Sequence, residues 1–287
     1  MTMLFQRMAI AGVGLIGGSL AQAVKERKVV GEVVGVGRNE ERLKRAFEAG
    51  IIDSYTTRMN DSLGTVDLMV IATPVCMIAD LVETMVPFLK EGTVITDVGS
   101  VKKEIVEQVE GFIPDTLHFV GGHPIAGTEN SGFEHSCSTL FEDRKCILTP
   151  VESTNQQALK QVQELWSRVG SNVVCLHCNE HDEILAAVSH LPHMVAYGMV
   201  NCLLTIEGFE ENIFSFSAGG FKDFTRIAGS DPAMWRDIAL MNRDKLLLMI
   251  KRFQSYLDEL KEAIEQRDSE KLFSEFQKSR TFKQLMK

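Results

Sequence analysis

Short apolar runs alternate with amphipathic stretches through the first 177 residues. Met8-Ala9-Ile10-Ala11, Glu32-Val33-Val34-Gly35-Val36, Asp67-Leu68-Met69-Val70-Ile71-Ala72 and Thr93-Val94-Ile95-Thr96-Asp97 read as strands buried on both faces. Phe119-Val120, Lys145-Cys146-Ile147-Leu148-Thr149 and Asn172-Val173-Val174-Cys175-Leu176 extend the series. Helical spacing fills the gaps, over Leu15, Ile16, Leu20, Ala23 and Val24, then Asn39 to Ala49, Ile78 to Leu89 and Asn155 to Val169. The alternation predicts an α/β fold built on a Rossmann-like, doubly wound parallel sheet, in which ligands lie beyond the carboxyl ends of the strands. Gly12, Thr73, Ser100 and His123 all fall at such ends, so four separate stretches converge on one rim.

From Asn179 onward the pattern is nearly all helical. Ile184 to Ile206 is long and apolar, which predicts burial in a helical core or a subunit interface. Within it lies Ser189-His190-Leu191-Pro192-His193, where Pro192 lacks an N–H and is expected to kink the helix. Asp231-Pro232 reads as a helix start with Asp at the N-cap, and Leu257, Leu260 and Ile264 trace an apolar face further on. Two domains are expected, 1–177 and 178–287.

The charge balance, 30 Lys and Arg against 39 Asp and Glu, leaves −9. Nothing along the chain resembles a basic nucleic-acid footprint, and an anionic substrate would need a local cluster of cations. No apolar run approaches the roughly 20 residues that cross a bilayer, and the first residues lack a signal layout. Six scattered cysteines suit reduced thiols, so a cytoplasmic enzyme without membrane or nucleic-acid partners is expected.

Gly12-Val13-Gly14-Leu15-Ile16-Gly17 sits between a strand and a helix, where glycines permit a tight turn and the helix N-terminus offers N–H groups to a pyrophosphate. Strand two ends in Gly37-Arg38-Asn39 rather than an acid, and Arg38 suits a 2′-phosphate or permits both NAD+ and NADP+. Cofactor contacts are expected from Gly12, Gly14, Leu15, Ile16, Gly17, Arg38, Thr73 and Pro74. In Gly121-Gly122-His123-Pro124, proline biases His123 toward extended backbone, and the glycines are expected to let another molecule approach closely. Histidine exchanges a proton near neutrality, which makes His123 a candidate acid–base group. Cys175, His177, Cys178 and His181 form only a weak metal pattern, and no metal is expected.

Taken in order, the glycine loop, Asp97-Val98-Gly99-Ser100-Val101-Lys102, Gly122-His123-Pro124-Ile125-Ala126-Gly127, Ser189-His190-Leu191-Pro192-His193 and Phe221-Lys222-Asp223-Phe224-Thr225-Arg226 resemble the prephenate dehydrogenase family over nearly the whole chain. The resemblance implies oxidative decarboxylation of prephenate, or also of arogenate, with hydride transfer to NAD+ or NADP+ in tyrosine biosynthesis. It implies a dinucleotide-binding domain over 1–177 and a helical dimerisation and substrate domain over 178–287, and hence a homodimer. It assigns His123 to the ring hydroxyl with Ser100 orienting it, Arg226 to a side-chain carboxylate, and His193 and His190 to the substrate or product. Thr128 and Glu129 are expected to line the entrance. Neither a C-terminal regulatory domain nor a fused chorismate mutase is expected. The competing expectations are another two-domain hydroxyacid dehydrogenase or imine reductase, which would explain the glycine loop but would not require the series from His123 to Arg226, and an NAD(P)-sensing regulator without turnover.

Overall fold

The computed structural model describes residues 2–128, 130–206 and 216–285. By contacts the chain forms two compact units, Met1–Asn242 and Arg243–Lys287.

The first unit is organised by strands β1 (Phe5–Ala11), β2 (Val30–Val36), β3 (Ser54–Thr56), β4 (Leu68–Ile71), β5 (Val94–Asp97), β6 (His118–Pro124), β7 (Lys145–Thr149) and β8 (Asn172–Cys175). They form one sheet in the order β3-β2-β1-β4-β5-β6-β7-β8. The first six strands are parallel, and β1 lies between β2 and β4, which places the topological switch point at the end of β1. Two features depart from the sequence pattern. The three-residue β3 is too short and polar to announce itself, and β7 runs antiparallel to β6, so the far edge is mixed rather than parallel.

Period-two alternation sorts the side chains to two cores. Met8 and Ile10 face one side with Leu20 and Val24 of helix α1 (Leu15–Glu26), Leu43 and Ala46 of α2 (Glu40–Glu48), and Val162, Leu165 and Trp166 of the helix Gln156–Arg168. Ala9 and Ala11 face the other with Ile78 and Val82 of α3 (Ile78–Met85) and Ile105 and Val109 of α4 (Lys103–Glu110). With the Gln156–Arg168 helix as α5, these five helices cover both faces of the sheet, as a doubly wound arrangement requires.

Helices α6 (Cys178–Leu185), α7 (Leu191–Leu203), α8 (Gly219–Thr225) and α9 (Pro232–Met241) complete the first unit. Trp235 and Ile238 of α9 join the second core, beside Val75 and Ile78. Asp231 caps α9 as expected, accepting the Ala233 amide at 2.8 Å and the Met234 amide at 3.1 Å. The expected kink at Pro192 takes a different form. A π-helical turn over Ala186–His190 widens the helix just ahead of it and runs without a break into α7, so the turn that would receive the missing Pro192 N–H is the one already widened.

The second unit contains α10 (Arg243–Glu265) and α11 (Ser269–Leu285), joined by a turn in which Arg267 has φ +52°. Phe273, Phe276, Phe282 and Leu285 of α11 are exposed. Among the described residues no helix is long and apolar enough to cross a membrane.

Candidate active site

Four adjacent parallel strands, β1, β4, β5 and β6, carry Gly12, Thr73, Ser100 and His123 at their carboxyl ends. At β1 the rim is made of backbone. Gly12 has φ +97°, and a Cβ there would stand 2.3 Å from the Ala72 carbonyl oxygen. A Cβ on Gly17 would meet the Gly12 carbonyl oxygen at 2.2 Å, so both glycines are required by close packing. Gly14 differs: a Cβ there would meet nothing within 4 Å, which leaves room for a ligand at the start of α1. No side chain caps this helix and no acid occupies its first turn, so its leading N–H groups suit a phosphate. Leu15 and Ile16 are half-buried in that turn. Thr73 Oγ1 is buried with no hydrogen-bond partner, a donor and acceptor that a cofactor group would satisfy, and Pro74 beside it is exposed. Arg38 is exposed at the end of β2. The residues present therefore fit a dinucleotide.

At β6 the rim is made of buried side chains. Asp97 and Lys102, both fully buried, form an ion pair across the loop that carries Ser100. Asp97 Oδ1 accepts the Gly122 amide at 3.0 Å, and Lys102 Nζ donates to the Gly122 carbonyl at 2.9 Å. The two ends of the Ser100 loop thus grip the residue immediately before His123. The pair of glycines serves this packing rather than an approaching molecule. A Cβ on Gly121 would stand 2.5 Å from Thr149 Oγ1, and one on Gly122 would stand 2.8 Å from the Asp97 carbonyl oxygen.

His123 is buried, and its Nδ1 lies 2.8 Å from His181 Nε2. His181 Nδ1 lies 2.7 Å from Asp182 Oδ1, and Asp182 accepts the amides of Lys102 at 2.8 Å and Lys103 at 3.0 Å. Burial, followed by the charges of His181 and Lys102, holds the His123 imidazole well below its ordinary pKa, so it is neutral at pH 7 and able to accept a proton. Burial also lowers His181 against the pull of Asp182. For Asp182 burial acts upward, but the hydrogen bonds from His181 and the two amides outweigh it and leave the carboxyl below its usual value.

The same network reaches the Ser189-His190-Leu191-Pro192-His193 stretch. Asn242 Nδ2 donates to the Asp182 carbonyl at 2.8 Å and to His190 Nδ1 at 3.0 Å. That puts the His190 proton on Nε2, which is buried without a partner. Burial pushes His190 down to about 4. His193 donates from Nδ1 to the Ser189 carbonyl at 2.9 Å and stacks on Trp235, with ring centroids 3.6 Å apart. Burial lowers its pKa, and the nearby charge of Arg226 adds to the effect. Arg226 itself is exposed at the end of α8.

The structure therefore links His123 to His190 through His181, Asp182 and Asn242, and sets His190 and His193 against the Trp235 ring, with Arg226 within electrostatic reach of His193; Ser100 lies on the loop whose two ends grip Gly122. Thr128 is exposed on the following loop, accepting the Asn130 amide at 3.2 Å, and Glu129 lies outside the described residues. His181, Asp182, Trp235 and Asn242 were not foreseen as site residues. The readable signal was His181-Asp182 itself, an imidazole and an acid side by side ahead of an apolar helical run, since such groups are seldom buried without partners.

A family model for the prephenate dehydrogenase nucleotide-binding domain matches residues 20–175, and one for its dimerization domain matches residues 177–278. The chain belongs to the prephenate dehydrogenase family. It is accordingly an NAD(P)-dependent oxidoreductase whose reaction is the family's, oxidative decarboxylation of prephenate. It is 35% identical over 275 residues to a prephenate dehydrogenase of Bacillus subtilis, covering 96% of this chain and 74% of that protein. It is 34% identical to a cyclohexadienyl dehydrogenase of Zymomonas mobilis, covering 96% and 94% respectively. A crystal structure of prephenate dehydrogenase from A. aeolicus, in complex with hydroxyphenyl propionate and NAD+, superimposes with a TM-score of 0.93 at 37% identity, covering 100% of this chain and 99% of that one.

Proposed function

We propose that the family reaction runs in this chain with His123 as the acceptor of the ring-hydroxyl proton and Ser100 orienting that hydroxyl. The observation that carries this reading is a buried, neutral imidazole at the end of β6, tied through one ring nitrogen and set on the same rim as the glycine turn. Bound NAD(P)+ supplies the hydride acceptor. Gly12, Gly14 and Gly17 shape its phosphate site, Leu15 and Ile16 open the helix that faces it, and Thr73, Pro74 and Arg38 complete the cofactor contacts. Arg226 binds a substrate carboxylate, for which a planar guanidinium is suited. The buried Nε2–H of His190 and the His193 ring stacked on Trp235 form the substrate wall, and Thr128 and Glu129 form its entrance. The ligands named for the A. aeolicus enzyme, an aromatic acid and NAD+, are compatible with this assignment.

The working division is a dinucleotide-binding domain over 1–177 and a dimerisation and substrate domain over 178–287, in a cytoplasmic homodimer that binds neither nucleic acid nor membrane. The dimerization-domain match supports the assembly, as do exposed apolar side chains at Val188, Leu204, Phe273 and Phe282. A stable, active monomer in sedimentation at low protein concentration would sink that part.

Nicotinamide reduction followed at about 340 nm, with prephenate or arogenate and with each cofactor, tests the whole reading. Steady reduction with release of carbon dioxide is expected with prephenate. Tight cofactor binding without turnover would instead identify a nucleotide sensor. Arogenate turnover is a second reading, favoured by the likeness to the cyclohexadienyl enzyme.

A further inference from the structure

We propose that Asp182 and His181 are positioning residues that hold His123 in its Nδ1–H tautomer, so that Nε2 presents the lone pair that takes the substrate proton. The proposal rests on the reading of His123 as the base. The argument starts at Asp182, whose Oδ1 accepts the Lys102 amide and whose Oδ2 accepts the Lys103 amide. A carboxylate can only accept, so its 2.7 Å contact places a proton on His181 Nδ1. Neutral His181 then carries a lone pair on Nε2, and the 2.8 Å contact is made by His123 Nδ1–H donating. His123 Nε2 is left unprotonated. The reverse arrangement needs a His181 imidazolium, which burial and the nearby Lys102 charge oppose. His181 is 0% exposed and Asp182 2%, so water does not interrupt the chain.

The arrangement suits the bookkeeping of the reaction. As the ring carbon gives hydride to the oxidised nicotinamide, the O–H electron pair becomes the second bond of a carbonyl and the proton moves to His123 Nε2. Loss of carbon dioxide then sends the broken C–C pair through the ring to that oxygen, which takes the proton back as a phenol. Two electrons leave with the hydride, and no proton is lost to solvent. While His123 holds the proton, its charge is balanced by Asp182 through His181.

Nitrogen-15 spectra of histidine-labelled protein, with His123 identified by its loss in His123→Asn, read the tautomer directly. The expected wild-type signature near neutral pH is a protonated Nδ1 and a bare Nε2 on His123. Asp182→Asn can turn an amide N–H toward His181 Nδ1, which reverses both tautomers and moves the His123 proton to Nε2. It should lower kcat about 10²–10⁴-fold with the KM for prephenate within about twofold. His181→Gln keeps an acceptor for His123 but severs Asp182, and should cost about tenfold in kcat. A wild-type His123 protonated on Nε2 overturns the proposal, and this measurement stands even where a variant does not fold. Wild-type kcat in both variants beside a crippled His123→Asn overturns it too, while leaving the base reading intact. An active His123→Asn removes both.

Discussion

The two halves of the rim solve different problems with different materials. At β1 the chain offers main-chain N–H groups suited to an anion, open space over Gly14 and two glycines required by close packing. At β6 it fixes an imidazole with side chains drawn from residues 97, 102, 123, 181, 182 and 242, all buried and joined by hydrogen bonds. A backbone site depends on local geometry and tolerates side-chain change around it. A buried polar network depends on every member, because removing one leaves another desolvated and unpaired.

The largest effect should come from breaking the β6 end at its centre. His123→Asn keeps a hydrogen-bonding group but cannot accept the proton, so kcat should fall by about 10²–10⁴-fold with smaller changes in KM. A variant with near-wild-type turnover in steady-state kinetics would remove His123 from the chemistry.

Acid should come next, acting on stability. The unfolded histidine titrates near 6.5 and folded His190 at about 4, so between these values the unfolded chain binds a proton that the native chain does not. The contribution is complete above pH 6.5 and is lost as pH falls toward 4. His190 alone accounts for at most roughly 3 kcal/mol, and His123 shifts in the same direction. Chemical denaturation from pH 7.5 to 4.5 checks this, and a His190→Gln variant should show a shallower acid loss. An equally steep loss in that variant would place the sensitivity elsewhere.

Arg226→Ala should raise the KM for prephenate ten- to hundredfold, the scale of about 1.5–3 kcal/mol for a charge-assisted hydrogen bond, with cofactor affinity unchanged. A lowered Tm with an unchanged prephenate KM would make Arg226 a residue of the fold instead.

The smallest effect belongs to the β1 end. Arg38→Ala should raise the KM for NADP+ several-fold, and more than the KM for NAD+, because only the former carries a 2′-phosphate for the guanidinium. Equal changes for the two cofactors would remove Arg38 from the choice between them.

How much could be read in advance follows the same division. Every strand but β3, helices α1, α2, α3 and α5, the glycine turn and the Asp231 cap rest on contiguous residues whose periodicity or turn chemistry acts locally, and the sequence alone determined them; the short β3 and α4 were not legible there. It also determined that Gly12, Thr73, Ser100 and His123 share a rim, because strand ends in a parallel sheet all face one way. The antiparallel β7 was beyond it, since an apolar run looks the same in either direction. So was the true use of Gly121 and Gly122, whose missing side chains admit Thr149 and Asp97 of the neighbouring strands. His181 looked like part of a weak metal pattern until folding set it against His123, 58 residues away in the chain. The tertiary structure alone decided that partnership, because what fixes the proton on an imidazole is the group opposite its other nitrogen, and no local pattern names a partner so distant.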